Sequence, residues 1–307
     1  MLTPTPREAS WHDDAEFRST GVHPITAANP ACRRGLQSLR PVRRVAELGS
    51  LDDRDMTQLM QEIDAEFRSA SGISERRYYK IYYSHIHPFP LLVLGQNPGG
   101  ETDGTDLSAS ETFYENWEHD YLCFRNNPRY ALARPMCALL AAVLQTSAVN
   151  VLRQVPATNV IFRRSRNTES LNLSPAKAAE ESAPALRRIL EAVNPRVVVL
   201  IANTAYKLFK EVHCEPPSIR EDSKPRVFTP NGRANACIFL SAQARVIGLN
   251  RTVPLFMVGH PSKYAGRSEW PQVVEALSQG LKRCGVSPIE DAALVSVKPI
   301  ESYGTHV

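Results

Sequence analysis

Short apolar runs alternate with longer amphipathic segments along most of this chain. A short apolar run bounded by turn residues is typical of a strand buried on both faces. Apolar residues three and four positions apart are typical of helices that pack on such strands. This alternation predicts an α/β fold, a parallel sheet with helices on both faces. The predicted strands are residues 91–94, 156–162, 196–201, 236–240 and 254–258, and the predicted helices are residues 129–145, 174–193, 203–213 and 270–285.

The two ends of the chain depart from this alternation. Residues 1–50 lack periodicity and carry clustered arginines, which indicates a flexible basic extension. Those arginines could contact phosphates, or they could form a solvated linker. Residues 51–75 predict one helix whose apolar face packs on the core. We therefore expect the main domain at residues 76–287 and a C-terminal tail at residues 288–307.

The composition narrows the class of protein. Of the 307 residues, 43% are hydrophobic and 22% are charged, which is typical of a globular chain. The chain lacks a signal peptide and any apolar run approaching the ~20 residues of a membrane span, so we expect a cytoplasmic protein. Its six scattered cysteines form no C-x-x-C pair, so we expect neither a metal nor a cofactor. The net charge of +4 is compatible with nucleic-acid binding but does not require it.

Polar residues occur at the ends of three predicted strands. Asn97 follows the first strand in a Gly-Gln-Asn-Pro-Gly-Gly turn, Asn159 lies in the second, and His260 follows the last. The carboxyl ends of parallel strands meet at one sheet edge, where α/β proteins bind ligands, so these side chains are predicted to converge. The glycine-rich loops of dinucleotide and nucleoside triphosphate sites are missing, as is the Gly-x-Ser-x-Gly motif of α/β-hydrolases.

Three motifs resemble, in order and spacing, those of the uracil-DNA glycosylase superfamily. They are Gly-Gln-Asn-Pro-Gly at 95–99, Thr-Asn-Val at 158–160 and Gly-His-Pro-Ser at 259–262. The Asn-Pro-Gly form of the first motif is closest to the mismatch-specific (thymine) and single-strand-selective branches. The resemblance covers about residues 78–285. It implies a three-layer α/β/α fold around a central, mainly parallel four-stranded sheet.

The resemblance also implies a role for each motif. Asn97 would orient the attacking water, and His260 would hydrogen-bond O2 of the departing base. Asn159 would recognise the edge of a flipped pyrimidine, helped by Gln96 and Gly99. The aromatic residue that stacks on that base would be Phe113, Tyr121 or Phe124. The predicted DNA contacts are Arg163, Arg164, Arg166, Ser262, Lys263 and Tyr264.

Gly99 suggests which bases could be substrates. The uracil-strict branch carries a tyrosine at this position, against C5 of the base, so a glycine should admit C5 substituents. We predict a monomeric, monofunctional DNA glycosylase that excises uracil or a C5-modified pyrimidine and leaves an abasic site. Modified phage DNA is one hypothetical substrate. Two alternatives remain open, a non-catalytic DNA-binding relative and a nucleoside or nucleotide N-glycoside hydrolase. His260 could also be a core histidine, Asn159 a turn-capping amide, and the arginine loop a solvated surface.

Overall fold

The computed structural model describes residues 53–99, 119–126, 130–146, 149, 153–165, 170–221, 227–228 and 236–286. The predicted extension and tail, together with Phe113 and Arg166, lie outside these described residues. No helix within these ranges is long and apolar enough to cross a lipid bilayer.

The centre of the fold is a mixed β-sheet. The strands in the described ranges are β1 (Leu91–Gly95), β2 (Ala157–Asn159), β3 (Val197–Ile201), β4 (Arg220–Glu221), β5 (Val227–Phe228), β6 (Ala236–Cys237), β7 (Phe239–Val246) and β8 (Arg251–Val258). Six of them form the sheet in the order β2-β1-β3-β8-β7-β4, while β5 and β6 form a separate antiparallel pair. Strands β2, β1, β3 and β8 are parallel neighbours, and β7 and β4 extend the sheet in the antiparallel sense.

Two groups of helices cover the sheet. The helices in the described ranges are α1 (Asp53–Ser71), α2 (Asp120–Cys123), α3 (Ala133–Leu144), α4 (Pro175–Val193), α5 (Asn203–His213), α6 (Pro261–Tyr264) and α7 (Trp270–Arg283). Helix α1 packs on α4 and α4 on α5, whereas α3 contacts α2, α6 and α7. The predicted three-layer α/β/α fold is confirmed.

Burial explains why the four parallel strands were predictable, although β2 covers only Ala157–Asn159 and the predicted strand at 156–162 is too long. Every residue of β1 and β3 is buried, as expected for apolar strands covered on both faces. Helix α1 contributes Met60, Ile63 and Phe67 to the same core, each fully buried. The hydrophobic face of α1 is therefore part of the main core.

The sheet extends two strands beyond the predicted four. The predicted strand at 236–240 is too short, because β7 continues to Val246 and pairs along its whole length with β8. Its second half alternates buried and exposed residues, since its outer face is only partly covered. An alternating stretch rich in alanine and polar residues gives a weaker signal than a continuous apolar run.

The register of the parallel strands sets where the candidate site lies. Gly95 at the end of β1 pairs with Asn159 at the end of β2. Ile201 at the end of β3 pairs with Val258 at the end of β8. The loops after these strands therefore emerge at one edge of the sheet.

Candidate active site

Asn97, Asn159 and His260 lie at this common carboxyl edge. Asn97 is two residues beyond β1, Asn159 closes β2, and His260 is two residues beyond β8. The loops after β1 and β2 are bonded to each other, because the amides of Val160 and Ile161 donate to the carbonyl oxygens of Gly95 and Gln96, at 2.9 and 2.8 Å. The two asparagines are therefore carried by one hydrogen-bonded unit.

The side-chain amide of Asn97 is fixed at its nitrogen. Nδ2 donates to Ser165 Oγ at 2.8 Å, to Pro98 O at 3.1 Å and to Ser165 O at 3.4 Å. Ser165 is buried, with 3% of its surface exposed. The sequence prediction missed it, because nothing distinguishes one small serine among three nearby arginines. The Oδ1 atom of Asn97 accepts no hydrogen bond within the described residues and can act on a ligand.

The Asn159 side chain lies across the backbone of Gly95. A Cβ atom added to Gly95 would fall only 2.2 Å from Asn159 Oδ1, so a glycine is required there. Asn159 is buried, with 4% of its surface exposed, and its Nδ2 makes no hydrogen bond of ordinary geometry to a described residue. The Asn159 side chain lies near enough to the Tyr83 hydroxyl to lower the pKa of that group. A buried donor without a partner is costly, and a ligand that accepts from it would remove that penalty.

A buried polar cluster lies behind Asn159. Lys80 forms an ion pair with Asp120, and its Nζ lies 4.7 Å from the centroid of the Tyr83 ring. Burial raises the pKa of Tyr83 to about 12; Asp120 adds to this rise and the side chain of Asn159 opposes it. Burial also raises the pKa of the Asp120 carboxyl, against the attraction of Lys80. Tyr83 therefore remains a neutral phenol beside the amide of Asn159.

His260 forms the third part of the site, at the start of α6. Its Nδ1 lies 2.7 Å from Ser262 Oγ. Burial, and to a lesser degree Lys263, lowers the pKa of His260, so the ring is neutral near pH 7. When the serine hydroxyl donates to Nδ1, the ring proton is on Nε2, which becomes a neutral hydrogen-bond donor.

Gly259 allows His260 to leave the strand at this point. Its amide donates to Ile238 O at 2.8 Å, and an added Cβ would lie 2.9 Å from Cδ2 of Tyr264 and 3.0 Å from Cβ of Ile238. The half-buried Tyr264 therefore packs on the glycine, with the Arg267 guanidinium 5.5 Å from its ring centroid. Tyr264 supports the histidine loop from within.

Two of the predicted stacking residues, Tyr121 and Phe124, lie in one aromatic group. Tyr121 is buried and stacks on Tyr130, with a centroid distance of 6.3 Å, and it lies 6.0 Å from Tyr83. Burial raises the pKa of the Tyr121 hydroxyl. Phe124 is half-buried and meets Tyr130 edge-on at 5.3 Å. Through Tyr83, this aromatic group lies next to Asn159.

The predicted cationic contacts differ in how accessible they are. Arg163 bonds to Glu181 at 2.7 Å and to the carbonyl of Ser71 at 3.3 Å. Arg164 is 7% exposed; its Nε donates to Tyr79 O at 3.4 Å, and its Nη2 has no partner among the residues that the structure describes. Ser262 and Lys263 are exposed next to His260. Lys263 is thus more exposed than either arginine.

The other two predicted recognition residues, Gln96 and Gly99, differ in their surroundings. Gln96 is half-buried, whereas Gly99 is exposed, and no described atom lies within 4 Å of a Cβ added there. Within the described ranges, no group of three or more potential metal ligands comes together.

Neutral amide and imidazole groups lie at the strand ends of a parallel sheet, so the chain is an α/β protein with polar side chains at the carboxyl edge of its sheet. The sequence model of the uracil DNA glycosylase superfamily matches residues 85–278, which is more than half of the chain. The protein therefore belongs to the uracil DNA glycosylase superfamily, and the predicted resemblance is confirmed. Membership supports a DNA-glycosylase type of function. No curated protein sequence matches the chain significantly.

Proposed function

We propose that the protein is a monofunctional DNA glycosylase that excises uracil or a C5-modified pyrimidine and leaves an abasic site. One observation carries this proposal, the placement of Asn97, Asn159 and His260 at the same edge of the sheet. In the described residues, Asn97 Oδ1 and Asn159 Nδ2 both lack a protein partner. Each atom thus keeps hydrogen-bonding capacity that a bound base or water could use.

The reaction requires stabilisation of two developing charges. As the bond between C1′ and N1 breaks, the sugar becomes oxocarbenium-like and the base leaves as an anion. Nε2–H of His260 would donate to O2 of the base, where negative charge develops, and this interaction strengthens in the transition state. Asn97 Oδ1 would accept a hydrogen bond from a water and direct its oxygen to C1′. As the C1′–O bond forms, the water would release one proton to solvent, and the departed base anion would take up one proton from solvent. Because an amide is a weak base, departure of the base would precede full attack by water.

Recognition would depend on Asn159 after the nucleotide has left the base stack. Its Nδ2 would donate to O4 of a uracil-like edge, and its Oδ1 would accept from N3–H. The unpaired, buried state of Nδ2 supports this role, because a bound base would supply the missing acceptor. Tyr121 and Phe124 remain candidates for stacking on the base.

The surroundings of Gly99 support tolerance at C5. No described atom would contact a side chain that begins at this position. A pyrimidine carrying a hydroxymethyl or glycosyl group could then enter beside it. Modified phage DNA is one source of such bases, and a role in defence would follow from activity on them.

A cleavage panel tests the proposal. The purified protein is incubated with oligonucleotides that contain uracil, 5-hydroxymethyl or glycosylated pyrimidines, and strands are analysed with and without alkali. We expect alkali-dependent scission for at least one base, and about a 100-fold or larger loss for His260→Ala as well as a loss for Asn97→Ala. A Gly99→Tyr variant should keep activity on uracil and lose it on C5-substituted bases.

The remaining outcomes separate the alternatives. DNA binding without scission of any substrate would contradict catalysis and favour a non-catalytic relative. Release of bases from free nucleosides, with none from DNA, would favour a nucleoside hydrolase. Strand breaks without alkali would contradict the monofunctional mechanism.

A further inference from the structure

The orientation of the Asn97 amide is determined by what surrounds its nitrogen. Of the three acceptors of Nδ2, two are the backbone carbonyl oxygens of Pro98 and Ser165, at 3.1 and 3.4 Å. A carbonyl oxygen can accept a hydrogen bond but cannot donate one. Rotating the amide by half a turn would place Oδ1 against these two oxygens. The nitrogen therefore faces the loop, and Oδ1 faces away from it.

Ser165 is the member of this group that is held most closely. Its Oγ forms the shortest of the three contacts, at 2.8 Å, and its own amide donates to Pro98 O at 3.2 Å. The side chain is almost wholly buried, so solvent has little access to this contact. The loop after β2 thus fixes both the position and the direction of a side chain that follows β1.

We propose that Ser165 is a positioning residue for Asn97, and that the three acceptors around Nδ2 select an amide over a carboxylate at position 97. The inference rests on the proposed glycosylase function. A carboxylate would bring an acceptor oxygen against two carbonyl oxygens, which would favour its protonated form. Only the hydroxyl of Ser165 could rotate to donate to it. The site is built to orient water through an amide and not to remove a proton with a carboxylate.

A double-mutant cycle tests the positioning role. We expect Ser165→Ala to lower the single-turnover rate about 10-fold with KM nearly unchanged, the loss of one hydrogen bond. The same substitution should have no further effect in an Asn97→Ala background, because it acts through that side chain. The control Ser278→Ala removes another buried serine, on α7, whose hydroxyl donates to the carbonyl of Val143 and not to a residue of the site, and it should not alter the rate. A wild-type rate in Ser165→Ala, or an equal loss in both backgrounds, would overturn the positioning role.

The Asn97→Asp variant tests the selection of an amide. Its carboxyl should titrate by NMR well above the ordinary aspartate value of about 3.9, and higher again when Ser165→Ala is added. Its activity at pH 7 should not exceed that of the wild type. An ordinary carboxyl pKa would overturn the inference. This titration does not depend on activity, so it remains decisive even if the wild type excises no base, a result that would refute the proposed function instead.

Discussion

Replacing Gly95 by alanine should disable base recognition while leaving the fold intact. The new Cβ would lie 2.2 Å from Oδ1 and 3.4 Å from Cγ of Asn159. To restore an ordinary contact, the amide oxygen would have to move by about 1 Å, and a misplacement of about 1 Å can lower a rate about 100-fold. That loss corresponds to about 2.7 kcal/mol of transition-state stabilisation.

The backbone gives no reason for a general loss of stability in this variant. Gly95 lies in β1 and is paired with Asn159, and its φ is not in the left-handed region. The strain is therefore confined to the Asn159 side chain. We expect the thermal unfolding midpoint to change little, whereas the excision rate falls.

The assay is single-turnover excision of the best substrate in the cleavage panel, with DNA affinity and thermal unfolding measured in parallel. The control is Gly266→Ala, at an exposed glycine with no described atom within 4 Å of the added Cβ. That control should match the wild type. Full activity in Gly95→Ala would refute the reasoning, since it would mean that the position of Asn159 is not needed for excision.

Three further substitutions test the packing of the fold. Neither ring nitrogen of His213 has a partner in the described part of the chain, and burial lowers its pKa to about 3. In the unfolded chain, His213 has a pKa near 6.5 and binds its proton below that pH. The free energy of unfolding therefore falls as the pH drops from about 6.5 toward 3, by about 2 kcal/mol at pH 5. His213→Leu should flatten this dependence in urea unfolding; an unchanged slope would contradict it. Arg164→Met removes a buried guanidinium with an unpaired Nη2 and should not lower stability; a large loss in urea unfolding would contradict this. Gly280→Ala would place a Cβ 2.5 Å from the Phe256 ring and should lower the free energy of unfolding by about 1–3 kcal/mol; an unchanged midpoint would show that the ring can move.

The sequence was sufficient to predict the parallel part of the sheet and the position of its polar strand ends. Buried parallel strands are continuous apolar runs, and their carboxyl ends must share an edge, so Asn97 and His260 could be assigned to one place without coordinates. Half of β7 was not predictable from its apolar content. Its alternating residues reflect partial burial, which depends on what covers the outer face of the hairpin.

Contacts between residues that are far apart in the chain could not be predicted from the sequence. In the sequence, Gly95 has the appearance of an ordinary turn glycine. In the structure, a glycine is required at this position because the side chain of Asn159, far along the chain, lies across it. Arg164 reads as a surface cation in a basic loop. It is buried because its amide donates to Tyr78 O at 2.8 Å and its Nε to Tyr79 O, which holds the loop against the segment before β1. Neither of these contacts produces a periodic pattern in the sequence.

The candidate site consists of two parts that are positioned independently. The loops after β1 and β2 bond to each other through Gly95, Gln96 and Pro98, so Asn97 and Asn159 keep a fixed relation. The histidine loop is anchored elsewhere, through the amide of Gly259 to Ile238. Water orientation and base recognition would therefore share one rigid unit, while the donor to the departing base belongs to another. This division would suit the proposed reaction, led by departure of the base, because the amide pair would hold both reactants while His260 would stabilise the charge that develops on the base.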